Sequence, residues 1–567
     1  MNINQLIQHG SPFELQYEII EGIGCKIFTH SPKSLQDVFF KAVFFKQNEF
    51  IVNDYRRLNF RMLISKAIQL ADVFRKQYGV AKGDRIAILM ENRPEWVIAF
   101  ISIYFAGATA VILHADSFTE TIEKCTEITD CLFIITDSDN SVKLKFNNVR
   151  YPVILIFNNP GDFHDKWCVR KHDTNISFIN LYQVPDNESV CSNYEIPKSA
   201  PDDEALISFT SGTTGPPKGI VFSHRNMTTG LMNMMLGGYM MGYREQKNKN
   251  KRHGNPSNTR PCSLLLSPLS HIGGYSQIML MCYLGGKIVL MNDWNTHKAA
   301  ALIKKEKIRS LCGATPEMIR ELLRTPGLET DLATLKNINI YGEAPNQSFL
   351  REIVSGYPCI NIGTGYGMTE TCGAISSIPG MELIKNPNCA GTILPSVDVK
   401  VIDESGHQKK ENSLGEVCIR GAMVMRGYIY NLNNSALKVE DDGWLKTGDL
   451  GYLDKDRNLY IIDRIKNLLI CGNSRVSAGE MERIACEHSM VDEAVVLGMP
   501  SQKKCKTILM IVIPKENQLL EEINLKKELS SRLINYSKSI KIVLVNSLPR
   551  TASGKVNRSE LRRKLLL

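Results

Sequence analysis

The sequence lacks the patterns that mark secreted, disulfide-rich and nucleic-acid-binding proteins. Its fifteen cysteines include no C-x-x-C pair, and such a scattered set predicts reduced, mostly buried thiols in a cytoplasmic protein. The first residues, MNINQLIQHGSPFELQ, contain no apolar core of a secretory signal. The 68 basic and 59 acidic residues leave a net charge of only +9. We interpret the basic run at residues 247–252 (KNKNKR) as a solvated loop and expect no nucleic-acid partner.

One apolar stretch, residues 96–113, is about long enough to span a bilayer. Ser102 and the small residues at 106–110 interrupt it, and the preceding MENRPE is typical of a helix start. We therefore predict a buried helix followed by a buried strand, with no transmembrane span. The C-terminal LRRKLLL is interpreted as a short amphipathic helix that packs on its own domain, and peripheral contact with a membrane surface is the alternative.

The order of apolar segments predicts an α/β fold. Residues 80–113 read as an apolar strand (86–90), a turn, an apolar helix and a second strand. Continuous apolar strands that alternate with helices are typical of a parallel sheet covered on both faces. The same alternation recurs at residues 131–136, 152–157 and 263–266. From residue 415 the pattern changes to short strands and turns.

A loop poor in side-chain bulk stands at residues 207–225, ISFTSGTTGPPKGIVFSHR, between two apolar strands. Glycines let backbone N–H groups converge and hydroxyls add donors, so this loop suits a polyphosphate. Lys218 adds a cation. A P-loop would need a helix after its lysine, but Gly219 and the residues that follow read as a strand.

Other polar residues follow predicted strands. His271 lies in a turn beside Gly273 and Gly274, where both a structural role and a pocket role are open. The segment CINIGTGYGMTETC offers Tyr366 as a stacking face, Thr369 as a hydroxyl and Glu370 as a carboxylate suited to Mg²⁺.

Two further residues are weighed between function and structure. We expect Asp449 in a turn after Thr447 and Gly448, where a carboxylate either holds the two hydroxyls of a ribose or simply closes the turn. Lys555 stands in a Gly/Ser loop before a basic amphipathic helix. Taken alone, it would be a solvated charge.

Together these motifs resemble those of the adenylate-forming superfamily, which includes acyl-CoA synthetases, peptide-synthetase adenylation domains and beetle luciferases. The matching segments are FTSGTTGPPKG, YGEAP, GYGMTE, GWLKTGD, DRIKN and PRTASGK, in the order of the family and over essentially the whole chain. The flanking sequence most resembles bacterial medium- or long-chain fatty acid-CoA ligases.

The resemblance implies an architecture and a reaction. A large N-terminal domain, residues 1–464, would contain two βαβ-type sheets and a distorted β-barrel, and a small mobile α+β domain, residues 465–567, would act as a lid. A carboxylic acid and Mg-ATP would give acyl-AMP and pyrophosphate, and a thiol would then take the acyl group. The co-substrates would be ATP, Mg²⁺ and coenzyme A.

The resemblance also implies residue roles. The β- and γ-phosphates would be held by Thr210, Ser211, Gly212, Thr213, Thr214, Gly215 and Lys218. Adenine would stack on Tyr366 beside the backbone of Gly342, Glu343 and Ala344. Thr369 would touch the α-phosphate, Glu370 would bind Mg²⁺, and Asp449 would hold the ribose hydroxyls with Arg464 nearby.

Three more roles follow from the same resemblance. Lys555 would reach both the carboxylate and the α-phosphate and neutralise charge in the transition state. Lys466 would be the hinge of the small domain. His271 would lie near the acyl pocket and the pantetheine tunnel.

The small domain departs from the family pattern. Asn473 and Ala478 replace a glycine and a proline, KKCKT replaces a Gly-Glu pair after Pro500, and YSKSIKI replaces a YKVP-like stretch. These departures leave the thiol acceptor open between coenzyme A and a carrier-protein phosphopantetheine. A non-catalytic nucleotide-binding relative is a further alternative, opposed by the presence of Lys555, Glu370 and Asp449. A luciferase-like oxygenase has no supporting feature.

The acyl pocket is expected near His271, the strand before Gly342 and the segment 363–371. Gly363, Gly365 and Gly373 favour a long or bulky acyl group if they leave space. They carry no such meaning if the backbone itself requires glycine there.

Overall fold

A computed structural model describes most of the chain. The described residues are 3–141, 143–144, 152–157, 176–181, 194–209, 218–248, 260–340, 347–386, 388–429, 439–471, 474–498, 508–515, 521–532, 540–550 and 556–566.

The first sheet has eight strands, six of them parallel. In spatial order they are Gly427–Tyr428, Gly219–Ser223, Glu204–Phe209, Thr109–Ile112, Arg85–Leu89, Phe133–Thr136, Val153–Phe157 and Ile176–Asn180. Residues of its central strands alternate between two apolar clusters, one on each face. The continuous apolar strands therefore do what the sequence predicts, because helices and loops cover both faces.

The apolar stretch at residues 96–113 belongs to a buried helix, Pro94–Phe105, and to the strand Thr109–Ile112 that follows it. Every residue of that helix is buried, which confirms the prediction. Among all the described residues, no helix combines the length and apolar character needed to cross a membrane.

The second sheet has thirteen strands and two parts. The parallel part comprises Asn361–Thr364, Asn337–Asn339, Ser310–Cys312, Cys262–Leu265, Lys287–Leu290 and Glu49–Val52, with Arg57–Asn59 antiparallel at the edge. The antiparallel part comprises Asp398–Ile402, Gly415–Arg420, Leu445–Leu453, Asn458–Arg464, Cys389–Ile393 and Ser376–Pro379. The strands expected in a distorted barrel thus continue the second sheet.

Helices cover these sheets. In the large part of the chain they are Ile3–Ile7, Leu35–Phe40, Phe60–Gln77, Pro94–Phe105, Thr119–Thr129, Ser138–Ser141, His224–Asn248, Ile272–Leu284, Thr296–Glu306, Pro316–Arg324, Gln347–Gly356 and Gly380–Lys385. Short 3₁₀ turns span Lys41–Phe45, Thr369–Thr371 and Ile465–Asn467. Two hairpins stand apart from the large sheets, Leu15–Ile20 with Ile23–Phe28 and Gly367–Met368 with Gly373–Ala374. We call His224–Asn248, which packs between the sheets, the long helix.

The C-terminal part is a small α+β unit with its own core. Its elements are the hairpin Leu469–Cys471 with Ser474–Val476, the sheet of Val491–Gly498, Ile508–Pro514 and Ile540–Leu544, and the helices Ala478–Cys486, Glu522–Arg532 and Arg558–Leu566. The predicted α/β class with a large and a small domain is confirmed. The division at residue 464 stays a prediction.

The described cysteines whose side chains are placed are free thiols, and all but Cys359 and Cys486 are buried. Burial raises the pKa of several of them, to about 12 for Cys125 and Cys131. Such thiols are poor nucleophiles, so the scattered cysteines serve the core as the sequence predicts.

Candidate active site

Asp449, Tyr366 and Arg464 meet although they are distant in sequence. Asp449 accepts a short hydrogen bond from the Tyr366 hydroxyl at one carboxylate oxygen, and Arg464 Nε lies 2.6 Å from the other. Arg464 also donates to the carbonyl of Thr447 at 3.1 Å. The carboxylate is thus oriented by a phenol and a guanidinium, and it is almost fully buried.

The expected turn at Asp449 is wrong. Asp449 lies inside the strand Leu445–Leu453, paired with Arg464 on the neighbouring strand. The local irregularity is at Gly448, whose φ of +69° favours glycine. Thr447 accepts from the Asp449 N–H at 3.1 Å and donates to the carbonyl of Val417 at 2.7 Å. This irregularity in the strand directs the Asp449 side chain toward Tyr366 and Arg464.

Burial raises the pKa of the Asp449 carboxyl, while Arg464 and the Tyr366 hydroxyl oppose the shift. Burial and the Asp449 charge also raise the pKa of Tyr366 well above its usual value. The Tyr366 hydroxyl therefore stays protonated and can donate. Each oxygen of a carboxylate can accept more than one hydrogen bond, so Asp449 can still accept from a pair of ligand hydroxyls while Tyr366 and Arg464 orient it.

Glu370 lies beside this group and is also buried. Its Oε1 accepts from the Tyr428 hydroxyl at 3.0 Å, and its backbone carbonyl accepts from the Met425 N–H at 2.9 Å. Thr369, half-buried, begins the same 3₁₀ turn. Tyr428 belongs to the last strand of the first sheet. The sequence alone did not single out Tyr428, because its partner Glu370 lies 58 positions away in the chain.

Three cations lie near these carboxylates, namely Lys218, Arg464 and Lys466. Lys218 Nζ is 5.5 Å from the centre of the Tyr428 ring. Partial desolvation and the charges of Arg464 and Lys218 lower the pKa of Lys466, and Asp449 opposes that shift. Like charges that repel one another without a ligand suit a site for a polyanion.

His271 precedes the helix Ile272–Leu284, in the turn after a strand of the second sheet, as predicted. Its ring stacks on His114, with centroids 4.3 Å apart. His114 contacts the Phe209 carbonyl through Nε2 at 2.7 Å and the Ser270 hydroxyl through Nδ1 at 3.2 Å. His114, which the sequence alone did not single out, therefore links the end of the strand Glu204–Phe209 to the turn that holds His271.

The remaining predicted site residues lie outside the described part of the chain. They are Thr210, Ser211, Gly212, Thr213, Thr214, Gly215, Gly342, Glu343, Ala344 and Lys555. The structure brings together Lys218, Tyr366, Glu370, Asp449, Arg464 and Lys466. His271 lies in the turn after the strand Cys262–Leu265, where it stacks on His114.

The residues present fit a magnesium nucleotide. Among the described residues, no group of three or more potential ligands stands ready to hold a metal ion alone. Mg²⁺ is usually held by one or two carboxylates and by substrate phosphates, and Glu370 supplies one carboxylate. The three cations supply partners for the phosphate charge.

Comparison with known proteins gives a direct result. The family model described as AMP-binding enzyme matches residues 40–429, and the model for the AMP-binding enzyme C-terminal domain matches residues 480–555. 4-Coumarate–CoA ligase 1 of Arabidopsis thaliana is 28% identical over 509 residues, which cover 88% of this chain and 86% of that protein.

Solved structures support the fold. O-Succinylbenzoate coenzyme A synthetase from Bacillus subtilis, in complex with AMP, aligns with a TM-score of 0.69 at 24% identity, over 94% of this chain and 98% of that one. A Mycobacterium tuberculosis fatty acyl CoA synthetase aligns with a TM-score of 0.68 at 21% identity, over the same shares of the two chains. The Bacillus enzyme has also been solved with ATP and a magnesium ion.

These matches confirm the predicted superfamily, the prediction of an AMP-forming ligase of the acyl-CoA synthetase type, and its co-substrates ATP, Mg²⁺ and coenzyme A. The first model alone spans well over half of the sequence. The chain belongs to the family of AMP-binding enzymes.

Proposed function

We propose that the protein joins a carboxylic acid to the thiol of coenzyme A through an acyl-adenylate. The observation that carries the proposal is the convergence of Asp449, Tyr366 and Arg464 on one buried point, with Glu370 beside it. A buried carboxylate that its donors orient, and whose oxygens can accept further hydrogen bonds, suits ribose hydroxyls, and a second carboxylate suits Mg²⁺.

In the first half-reaction, a carboxylate oxygen of the acid attacks the α-phosphorus of ATP. The bond from that phosphorus to the bridging oxygen breaks, and pyrophosphate leaves with the electron pair. Lys218 and the hydroxyl-rich loop 210–215 would hold the β- and γ-phosphates. Bound Mg²⁺ would neutralise phosphate charge, held by Glu370 while the Tyr428 hydroxyl orients that carboxylate.

In the second half-reaction, the thiol sulfur attacks the acyl carbon. The carbon–oxygen bond to AMP breaks, the thiol proton is lost, and AMP leaves. Tyr366 would stack on adenine, Thr369 would contact the α-phosphate, and Asp449 would keep the ribose in place. His271 would border the acyl group and the path of the thiol, positioned by the stacked His114 ring.

The small domain would carry Lys555 to the reacting atoms. Its described position is fixed by ion pairs to the helix Pro316–Arg324, where Arg320 lies 3.0 Å from Asp492 and Arg550 lies 3.1 Å from Glu317. Asp463 accepts from the Ser477 hydroxyl at 2.8 Å and the Gly479 N–H at 2.9 Å. Rotation about residues 465–467, with Lys466 as hinge, would break both the ion pairs and the Asp463 hydrogen bonds, because all of them join residues on opposite sides of the hinge.

Two features of the substrates remain proposals. The predicted medium- or long-chain fatty acid is supported by the likeness to a fatty acyl CoA synthetase, and an aryl acid is supported by the relative named for 4-coumarate. For the acceptor, coenzyme A is supported by the names of these relatives. Loading of a carrier protein is the alternative, and it is supported by the departures in the small domain.

The role of Lys555 is tested by separating the half-reactions. Lys555→Ala should lower acyl-AMP formation, measured as acid-dependent ATP–pyrophosphate exchange, by about 100-fold or more, because one charge partner of the transition state is lost. Thioester formation from supplied acyl-AMP should change only a few-fold. Lys564→Ala is the matched control, because Lys564 is exposed on the following helix and pairs with Glu560.

Equal losses in both half-reactions would contradict the role of Lys555. Absence of exchange with aliphatic, aromatic and amino acids alike would contradict the proposed function itself. Transfer to a carrier protein but not to coenzyme A would favour the alternative acceptor.

A further inference from the structure

A cavity of about 210 Å³ lies between the long helix and the parallel part of the second sheet. The long helix lines it with Gly238, Met241 and Gly242. The sheet lines it with Ser310, Asn337, Asn339, Asn361 and Gly363. We call this space the amide cavity, because three of its side chains are carboxamides.

The polar side chains of the amide cavity are arranged by strand register. Ser310, Asn337 and Asn361 are paired across three adjacent parallel strands. Two residues further along these strands, Asn339 is paired with Gly363. Paired residues of a parallel sheet point to the same face, and so do residues two apart on one strand. One face of the sheet therefore presents a continuous patch of hydrogen-bonding groups.

These groups keep capacity for a ligand. Asn361 donates to the Asn337 side-chain oxygen at 3.3 Å, and Asn337 donates to the Ser310 hydroxyl at 3.5 Å. Asn339 is within hydrogen-bonding reach of the Cys312 thiol, whose pKa burial raises to about 11. Each carboxamide offers two N–H donors and an oxygen with two lone pairs. Long contacts of this kind are readily exchanged for better ones.

Glycines give the cavity its room. A Cβ added at Gly238 or Gly242 would meet no atom within 4 Å, and one at Gly363 would meet only the flexible Met241 side chain at close range, 2.7 Å from its sulfur. The other glycines that the sequence singled out have backbone reasons instead. A Cβ at Gly365 would lie 2.2 Å from the Ser376 carbonyl, and Gly373 has a φ of +108°. Gly363 alone of these three leaves space.

The amide cavity adjoins the proposed adenylation site through one strand. Gly363 lies three residues before Tyr366, which is about 10 Å along an extended chain. The strands that carry the asparagines run toward the loops where Tyr366 and Glu370 stand. An acid whose carboxylate lies at the adenylation site would therefore extend its other end into the cavity.

The volume of the amide cavity and the absence of charge among its described lining residues restrict the kind of acid that can occupy it. A cavity of about 150 Å³ holds a benzene ring, so 210 Å³ suits one substituted ring or a short chain. None of the described residues that line it is ionisable. A second carboxylate or an ammonium group would find no charge partner among these residues. A neutral hydroxyl, carbonyl or amide would be paired by the asparagines.

We infer that the acid activated by this protein is compact and carries a neutral hydrogen-bonding group at the end remote from its carboxylate. This inference rests on the proposed function and names the substrate class of the same site. Asn339 and Asn337 are the residues that would recognise the remote group, and Gly238 and Gly242 would admit it.

The test compares acids that differ by one remote hydroxyl. The probes are 3-phenylpropanoic acid against 3-(4-hydroxyphenyl)propanoic acid and octanoic acid against 8-hydroxyoctanoic acid, with hexadecanoic acid as the long-chain reference. Exchange activity, as kcat/KM, should be at least about tenfold higher for the hydroxylated member of one pair, because only a hydroxyl lets Asn337 and Asn339 exchange long contacts for better hydrogen bonds. Hexadecanoic acid should be the poorest substrate.

Asn339→Leu should reduce the hydroxyl preference to near unity while exchange with the unhydroxylated acid is kept. Ile338→Leu is its control, because Ile338 is the neighbour on the same strand and points into the apolar core on the other face. Gly238→Ala should reduce exchange with the ring acids more than Gly237→Ala does. Both changes raise helix propensity, but a Cβ at Gly237 would make only ordinary contacts with Leu394 and Ser377.

The outcomes separate the two proposals. Equal or better exchange with the plain alkyl acids, or an unchanged preference in Asn339→Leu, would overturn this inference and leave the adenylation proposal standing. Absence of exchange with every acid would overturn the proposed function.

Discussion

The two large sheets share parallel strands but differ in what their faces carry. In the first sheet, Ile86 and Ile88 point into one apolar cluster, and Ala87 and Leu89 into another. In the second sheet, one face is equally apolar at Leu311 and Ile338. The opposite face begins apolar at Leu265 and then presents serine and asparagine on the next three strands.

A parallel sheet covered on both faces normally has apolar residues on both. The central strand Arg85–Leu89 of the first sheet follows that rule from Ile86 to Leu89. The second sheet departs from it at Ser263, Ser310, Asn337 and Asn361, which are paired across four parallel strands on the face that borders the amide cavity. We infer that the polar face of the second sheet contributes less to stability than the apolar faces of the first sheet and instead serves to bind the acid. If so, exchanging polar and apolar residues should have different effects on the free energy of unfolding in the two sheets.

The largest effect is expected from placing an amide in the first sheet. Ile88→Asn should lower the free energy of unfolding by about 4 kcal/mol or more, because a filled apolar site is lost and an amide is buried without partners. Ile88→Val should cost only about 1 kcal/mol. Urea denaturation followed by circular dichroism measures both. A cost for Ile88→Asn as small as that of Ile88→Val would show that the first sheet tolerates polar groups too.

A pH effect of intermediate size is expected from His224, which follows a strand of the first sheet. Its Nδ1 accepts from the Leu35 N–H at 3.1 Å, and burial lowers its pKa to about 4. The unfolded chain, with a histidine pKa of about 6.5, binds more protons between these values. Protonation of His224 therefore does not reduce the free energy of unfolding above about pH 6.5. As the pH falls toward 4, it lowers the free energy of unfolding by roughly 3 kcal/mol in all.

Urea denaturation of the wild type and His224→Gln at pH 7.5 and pH 5 isolates this contribution. The variant should lose less stability than the wild type on acidification. Parallel losses in the two proteins would mean that His224 does not titrate on unfolding in this range.

The smallest effect on stability is expected from the reverse exchange in the second sheet. Asn337→Leu should change the free energy of unfolding by no more than about 1 kcal/mol, because its hydrogen bonds are long and its side chain is only half-buried. The same urea experiment measures it, with Ile88→Asn as the opposite exchange. A loss of several kcal/mol would show that the asparagine patch is a structural network rather than a recognition surface.

Sequence reasoning located the parts of the molecule that depend on local pattern. The strand near residues 86–90, the buried helix after it and the turn that carries His271 all follow from apolar runs and glycines. Their boundaries shifted by only a residue or so. Such elements depend on neighbours in the chain, and their neighbours are visible in the sequence.

What the sequence could not supply depends on contacts between distant segments. Asp449 was expected in a turn because Thr447 and Gly448 precede it, yet strand pairing with Arg464 decides its conformation. His114 and Tyr428 became site residues only through folding. The sequence does not show that Asn337 lies beside Ser310 and Asn361, because this arrangement depends on the register of three strands.

We propose that this chain makes an acyl-adenylate and passes the acyl group to coenzyme A. The most direct measurement is mass spectrometry of quenched reactions with ATP, Mg²⁺ and a panel of acids, with and without coenzyme A. We predict acyl-AMP without coenzyme A, and acyl-CoA with an equal amount of AMP when coenzyme A is present. Formation of ADP in place of AMP, or no acid-dependent product with any acid, would contradict this reaction.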